Sequence, residues 1–380
     1  VGMLGLAHRG FEWPDYSKHL ANYMQKNGFE TVLCGIQHEI PHHKIQNLGY
    51  QKIIYGKKTK ISDDPALIMM AGDIANCAEV VEYIKSQHKK PFFLSFGMFS
   101  THRRFPLDTS GVEENYVLPP SKNPDTCEIR KDMAGFIKMA KLVDDCVGNI
   151  LDAVHESGIE DNTLIFFTTD HGVAFPYHKC NLYDTGIGIS LIFKFPKNKY
   201  GGKVVDSLLS VIDVFPTLCE ILAIEKPEWL EGKSFMPILD GKTDEINEKI
   251  FSEVTYHASY EPMRAIRTKR YKLIRHYDDY EYPVLPNIDR SPSKTFLVSN
   301  GLAYRKKDML EFYDLVFDPE ERKNLAYTGE HRDTMDKLIA ELNDWMKKTN
   351  DPILKGYIPK PPGAVANKKT SIEPDDKDYE

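Results

Sequence analysis

No apolar stretch in these 380 residues reaches the length of a membrane-spanning helix, so the sequence offers no transmembrane segment. The chain also lacks a secretory signal at its visible start. It opens on Val1 rather than Met, so it is expected to begin inside a longer gene product, where any export signal would lie. Six cysteines (Cys34, Cys77, Cys127, Cys146, Cys180 and Cys219) are scattered without a CxxC pair or framework spacing. That pattern excludes a disulfide-stapled scaffold and leans towards a reducing, cytoplasmic compartment. Positive charge does not prevail: 49 Lys and Arg face 56 Asp and Glu, a formal charge of -7. A protein that coats nucleic acid is disfavoured, although one basic pocket fits inside an acidic whole. Internal repeats are absent.

What is present is an alternation of two periodicities. Asp15 to Asn27 has helical spacing, with Tyr16, Leu20 and Tyr23/Met24 on one face and Gly28 as the stop. Glu30 to Ile36 and Pro91 to Met98 follow as strands. Lys131 to Ser157 predicts a long amphipathic helix through Phe136, Met139, Val143, Val147, Ile150 and Val154, closed by Gly158. The run Thr163 to Thr169 predicts a strand buried on both faces, and Ile189 to Phe195 another, stopped by Pro196. A helix is expected from Asp213 as N-cap, with Pro216 tolerated in its first turn. Strand, helix, strand in this order predicts crossovers and a mainly parallel α/β sheet over residues 1–250. Short, closely spaced strands at Phe251 to Tyr256, Ala265 to Thr268, Tyr271 to Tyr277 and Phe312 to Leu315 predict a smaller antiparallel sheet over 251–350. A final helix is predicted from Arg332 to Lys348. The stretch from Tyr277 to Tyr304 lacks periodicity and reads as an irregular specificity loop. Residues 351–380 form a polar tail, with Pro359 to Glu380 reading as disordered or wrapped on the surface.

Ligands of open α/β sheets collect beyond the carboxyl ends of the strands. One strand ends in Asp170-His171-Gly172, a pair able to hold a divalent cation through a carboxylate oxygen and a ring nitrogen. The first strand runs out to His38 and the second to Ser100-Thr101-His102-Arg103-Arg104. The loop Phe175 to Asn181 adds Lys179. A cation, two imidazoles and a lysine around one cleft suit an anionic tetrahedral group and its departing oxygen. Arg103, Arg104 and His178 are candidates for a second anionic group.

These segments resemble the sulfatase family, with its alkaline-phosphatase-like fold. The resemblance rests on Asp161-Asn162-Thr163-Leu164 leading to Thr169-Asp170-His171-Gly172, on Asn181-Leu182-Tyr183-Asp184-Thr185-Gly186, and on ISLIFKFP. It continues in Asp213 to Leu218 and in Phe312-Tyr313-Asp314-Leu315 with Asp318-Pro319-Glu320-Glu321 and Asn324-Leu325. Asn27 to His38 falls where the family has its glycine-lysine-x-histidine segment. The DHGVAFPYHKCNLYDTG segment and the start GMLGLAHRGF are most similar to the heparan N-sulfatase branch.

The resemblance implies hydrolysis of sulfate esters or sulfamates on a small-molecule or oligosaccharide substrate, with no nucleic-acid partner. Asp170 and His171 would bind a metal, usually Ca2+, with Mn2+ or Zn2+ as the alternative that imidazole favours. Lys179 would touch the sulfate and the leaving atom. His102 would act near the scissile bond, and His38 would hold the nucleophile's hydrated form. That nucleophile is a formylglycine made from a cysteine in C-x-[PA]-x-R, a pattern none of the six cysteines fits. The family's paired aspartates are missing as well, so both features are expected upstream of Val1. Ile36 stands in place of the family lysine, with Gln37 as a possible substitute. A phosphodiester or phosphonate monoester hydrolase of the same superfamily is the alternative enzyme. A catalytically inactive binding fragment is the alternative for these residues alone. Oligomeric state is open.

Overall fold

The computed structural model describes residues 12–57 and 62–380; the GMLGLAHRGF start lies outside them. A 3-10 turn at Tyr16–Lys18 and helix α1 (Leu20–Lys26) replace the single helix expected from Asp15. His19 breaks the run: its backbone is extended and its ring caps the N–H of Ala21. Strands β1 (Glu30–Gly35) and β2 (Lys52–Ile54) lead into α2 (Pro65–Lys85), which the periodicity does not announce. Asp64 caps α2 and Pro65 opens it, where a missing N–H costs nothing. Strand β3 is Phe92–Gly97. Helix α3 (Cys127–Glu156) starts four residues before the predicted Lys131, because Thr126 supplies the cap.

Strands β2, β1 and β3 form a parallel sheet in that order. Cys34 of β1, Val80 and Ile84 of α2, and Ala153 and Val154 of α3 pack into one core, so both long helices cover the same face. Leu33, Ile40, Ile45 and Leu48 cover the other. Strands β4 (Ile165–Thr168) and β5 (Leu191–Lys194) pair with each other, antiparallel. This is the exception to the parallel expectation. The intervening residues 169–190 turn back with only the one-turn helix α4 (Asp184–Ile187), so the chain does not cross the sheet. β4 is half-buried rather than buried on both faces; among the described residues, it pairs with β5 alone.

Helices α5 (Val214–Ile221) and α6 (Met236–Leu239) follow. Asp213 stands at the N-cap position of α5 as expected but makes no side-chain cap bond there; the capping box on Ser210 opens the preceding 3-10 turn Val211–Asp213. Asp213 is buried and accepts from the backbone N–H groups of Ser210 and Lys233 and from the Asn247 amide. Strands β6 (Lys249–Tyr256), β7 (Tyr260–Thr268) and β8 (Tyr271–His276) precede helix α7 (Pro292–Ser299), which occupies part of the expected loop. Strand β9 (Leu310–Asp314) completes a four-stranded antiparallel sheet in the order β6-β7-β8-β9. One face packs on α8 (Arg332–Lys348) through Ile266, Leu273, Phe312, Leu338 and Leu342. The opposite face packs Met263, Ile274 and Tyr313 against Leu182 and Ile187, the segment just after the Lys179 loop. The tail wraps the surface and is ordered: Ala366 is fully buried and the Asn367 N–H bonds Ala258 O at 2.7 Å.

Candidate active site

Backbone packing decides where the strand ends point. Gly172 donates its N–H to Gly186 O at 2.9 Å. A Cβ on Gly172 would lie 1.8 Å from Thr185 O, and one on Gly186 would lie 2.4 Å from His178 O. Only glycine allows the Asp-His turn, α4 and the Lys179 loop to meet backbone to backbone. Within that loop Tyr177 and Cys180 adopt left-handed φ of 70° and 66°, a strained conformation of the kind found around functional side chains.

Lys179 leaves this loop nearly buried and donates to Asp289 Oδ2 at 2.9 Å. Its ammonium also lies 3.4 Å from His102 Nε2. His102 Nδ1 sits 2.6 Å from Arg103 O, so Nδ1 carries the proton and Nε2 presents its lone pair to Lys179. Burial and the neighbouring Lys179 charge depress the His102 pKa below its ordinary value. The imidazole is therefore neutral at neutral pH. Burial opposes ionisation of Asp289, but the bonded Lys179 brings its carboxyl below the usual range. His38 joins through Phe99, whose ring meets His102 edge-on at 5.1 Å and His38 at 6.4 Å.

The loop after β3 is held from several directions. Asp73 of α2 accepts the N–H groups of Phe99 and Ser100 at 2.9 and 2.7 Å. Arg103 does not face an anionic ligand. Its guanidinium forks onto Asp132 of α3, donates to Ala174 O at 2.8 Å and stacks between Phe105 and Phe175. His178 is buried too, with Nε2 2.9 Å from Ser121 O. Of the three residues proposed for a second anion, only Arg104 is exposed. Gln37 folds back onto its own turn, bonding Ile40 O at 2.8 Å, and does not substitute for a lysine at position 36.

Asp170 and His171 sit together, with His171 Nε2 3.6 Å from Asp170 Oδ2, and the Asp170 carboxylate is 87% exposed. They offer two donors. Among the described residues no group of three His, Cys, Asp or Glu is placed to hold a metal ion. Two donors are fewer than the three protein ligands of a catalytic zinc or the six or more oxygens around calcium, so the described residues alone do not fit a metal. The structure thus joins His102, Lys179 and His38 at one edge and adds Asp289. Sequence reasoning missed Asp289, which lies 110 positions from Lys179 in an aperiodic stretch.

Comparison with known proteins bears on the same region. The family model described as Sulfatase matches residues 8–224. A second, described as N-sulphoglucosamine sulphohydrolase, C-terminal, matches residues 170–300 and so includes Lys179 and Asp289. An ulvan-active sulfatase of Formosa agariphila is 28% identical over 348 residues, covering 90% of this chain and 66% of that protein. Human N-sulphoglucosamine sulphohydrolase is 25% identical over 339 residues, covering 76% of this chain and 66% of that one. The chain thus spans just under two thirds of the length of these two relatives. The solved structure of a 2-O GAG sulfatase superimposes with a TM-score of 0.68 at 20% identity, covering 92% of this chain and 78% of that one. At that identity the likeness is one of fold, the alkaline-phosphatase-like α/β arrangement.

Proposed function

Because the chain belongs to the sulfatase family, we propose that it provides the anion-handling part of a hydrolase acting on sulfate esters or sulfamates of a sulfated carbohydrate. The observation that carries this reading is the contact chain Asp289–Lys179–His102 at the strand ends. The relatives' names, one ulvan-active and one acting on N-sulphoglucosamine, favour a sulfated sugar.

The chemistry follows from the donors in place. An ammonium has three N–H groups. Two of those on Lys179 face Asp289 and His102, which leaves one for a sulfate oxygen or the departing atom. Half-withdrawn from water, that bond is stronger than the same bond on an exposed loop. Lys179 then hands a proton to the departing oxygen or nitrogen, while neutral His102 steadies the resulting amine. General acid help of this kind is worth roughly 10²–10⁴ in rate. His38 stands on the other side of Phe99, where it would orient the attacking group. Sulfatases use a formylglycine and a divalent metal, which supply the nucleophile and polarise the sulfate. Asp170 and His171 would be two of the metal's ligands, to calcium first and manganese or zinc second.

The test uses the longest gene product containing these residues, assayed on N-sulfated glucosamine, an O-sulfated sugar and an aryl phosphodiester. Sulfate release from either sugar is the expected result, and turnover of the phosphodiester alone overturns the proposal. Lys179→Ala and His102→Ala should each lower kcat by about 10²-fold or more with circular dichroism unchanged. Wild-type rates in either variant remove that residue from the site.

A further inference from the structure

Asp289 stands on an irregular segment, yet the backbone around it is pinned by two buried polar side chains. The carbonyl of Ile288, directly before Asp289, accepts from the Lys294 ammonium at 2.9 Å. Lys294 is 1% exposed, and it also donates to Ile372 O at 2.6 Å and to Glu373 Oε2 at 3.0 Å. One residue earlier, the buried Asn287 is held by the turn between β6 and β7. Its Oδ1 accepts the Ser259 N–H at 2.8 Å, and its Nδ2 donates to Glu261 Oε2 at 2.9 Å.

The tail closes the circuit. Asp376 Oδ2 accepts the N–H groups of Ile372 and Glu373 at 3.1 and 2.8 Å, and Asn367 Nδ2 donates to Asp376 O at 2.6 Å. These bonds fold the tail so that it presents the Ile372 carbonyl to Lys294. The same fold is fixed to the β6–β7 turn, where Ser259 Oγ donates to Asn367 O at 2.7 Å. Ser259, Asn287, Lys294, Ile372 and Asn367 thus form a ring of contacts that runs through the Asn287–Ile288 peptide.

Lysine is almost never fully buried unless it is paired, and taking an ammonium out of water is costly. An apolar side chain of similar volume would fill the space without that penalty, but it could not fix a carbonyl. Two of the three acceptors of Lys294 are main-chain carbonyls, so its burial secures the course of the backbone. The group placed by that course is the Asp289 carboxylate, 15% exposed, which receives Lys179 at 2.9 Å. Misplacing a group that aims a catalytic side chain by about 1 Å costs up to about 10²-fold in rate.

We propose that Lys294 is a positioning residue for the reaction and that tail residues 367–376 support it, together holding Asp289 against Lys179. This rests on the reading that Lys179 handles the scissile sulfate. The tail is then part of the framework of the site as well as a cover for the antiparallel sheet.

The test uses the longest gene product and the sulfated sugar that the wild type turns over, N-sulfated glucosamine or an O-sulfated sugar. Lys294→Met keeps the stem and removes the three donors. It should lower kcat about tenfold while KM stays within about twofold. Combined with Asp289→Asn, it should lower kcat no further than Asp289→Asn alone, because both changes break one linkage. Asp376→Ala loosens the tail and leaves Lys294 in place. Alone and with Asp289→Asn, it should show the same pattern with a smaller loss, and it carries the test if circular dichroism shows Lys294→Met unfolded. A wild-type kcat in the variant that carries the test, a loss confined to KM, or multiplied losses in its double variant overturns the positioning role and leaves the sulfatase reading intact. A wild type that releases sulfate from neither sugar overturns both.

Discussion

Replacing Asp132 by Asn should unsettle the site through a side chain that never touches substrate. Asp132 and Arg103 have side chains 3% and 4% exposed and form a two-point ion pair. The same carboxylate accepts from the Ser293 hydroxyl, and Arg103 reaches Ala174 O. One pair thereby joins α3, the His102 loop, the loop that carries Lys179 and the helix that follows Asp289. Asparagine keeps the shape but leaves a guanidinium buried between Phe105 and Phe175 without its counter-charge. Breaking one side of a buried pair costs about 3–5 kcal/mol. At about 2.1 cal/mol/K per residue, the unfolding entropy of 380 residues is about 0.8 kcal/mol/K, so Tm should fall by about 4–6 °C. The control is Asp125→Asn, which breaks an Arg130 pair whose side chains are 54% and 25% exposed. Such exposed pairs contribute little, so its shift should be much smaller than that of Asp132→Asn. Scanning calorimetry of the two variants reads the difference directly. Equal shifts would refute the argument that the Arg103–Asp132 pair is the buried hinge of the site.

Gly172→Ala should destabilise by about 1–3 kcal/mol, because its Cβ meets Thr185 O at 1.8 Å. Gly148→Ala, on α3 with nothing within 4 Å, should instead stabilise by about 0.4–1 kcal/mol. Urea titration of both variants checks the opposite signs. His102 has a folded pKa below its ordinary 6.5, so the unfolded chain binds more protons between the two values. Stability should therefore fall as pH drops from 6.5 through the folded value, and His102→Gln should flatten that part of a Tm-versus-pH curve. An unchanged slope would show that burial does not hold the ring neutral. Asp289→Asn should lower kcat at neutral pH by about tenfold or more, since Lys179 loses a charge-assisted partner. A change in KM alone would move Asp289 from the chemistry to substrate binding.

Much of the site can be read locally. The strands before His38, His102 and Asp170 are apolar runs with abrupt polar ends, and the shared edge of the first two follows from the parallel pairing of β1 and β3. α8 begins and ends where its periodicity does, and α3 differs only at its start, where Thr126 is a better cap than anything near Lys131. Other features have no local signature. Asp289 lies between Pro286 and Pro292, where neither helical nor strand spacing marks it. Arg103 and Arg104 are chemically identical neighbours, yet one is buried in an ion pair and the other faces water. The tail has too few apolar residues to announce a fold, and polar contacts with Ala258, Ser259 and Lys294 hold it in place.

The sequence by itself determined the type of most elements, though not of α2 or α7, the run of strand ends bearing histidine and aspartate, and the glycines that permit close backbone contact. These depend on neighbours within a few residues, where periodicity and turn chemistry act. Tertiary structure alone decided that β4 and β5 run antiparallel, that Asp289 meets Lys179, and that Asp375 lies on Arg290. Each of these pairs groups far apart in the chain, and burial, charge and space choose the partner only once the layers have packed.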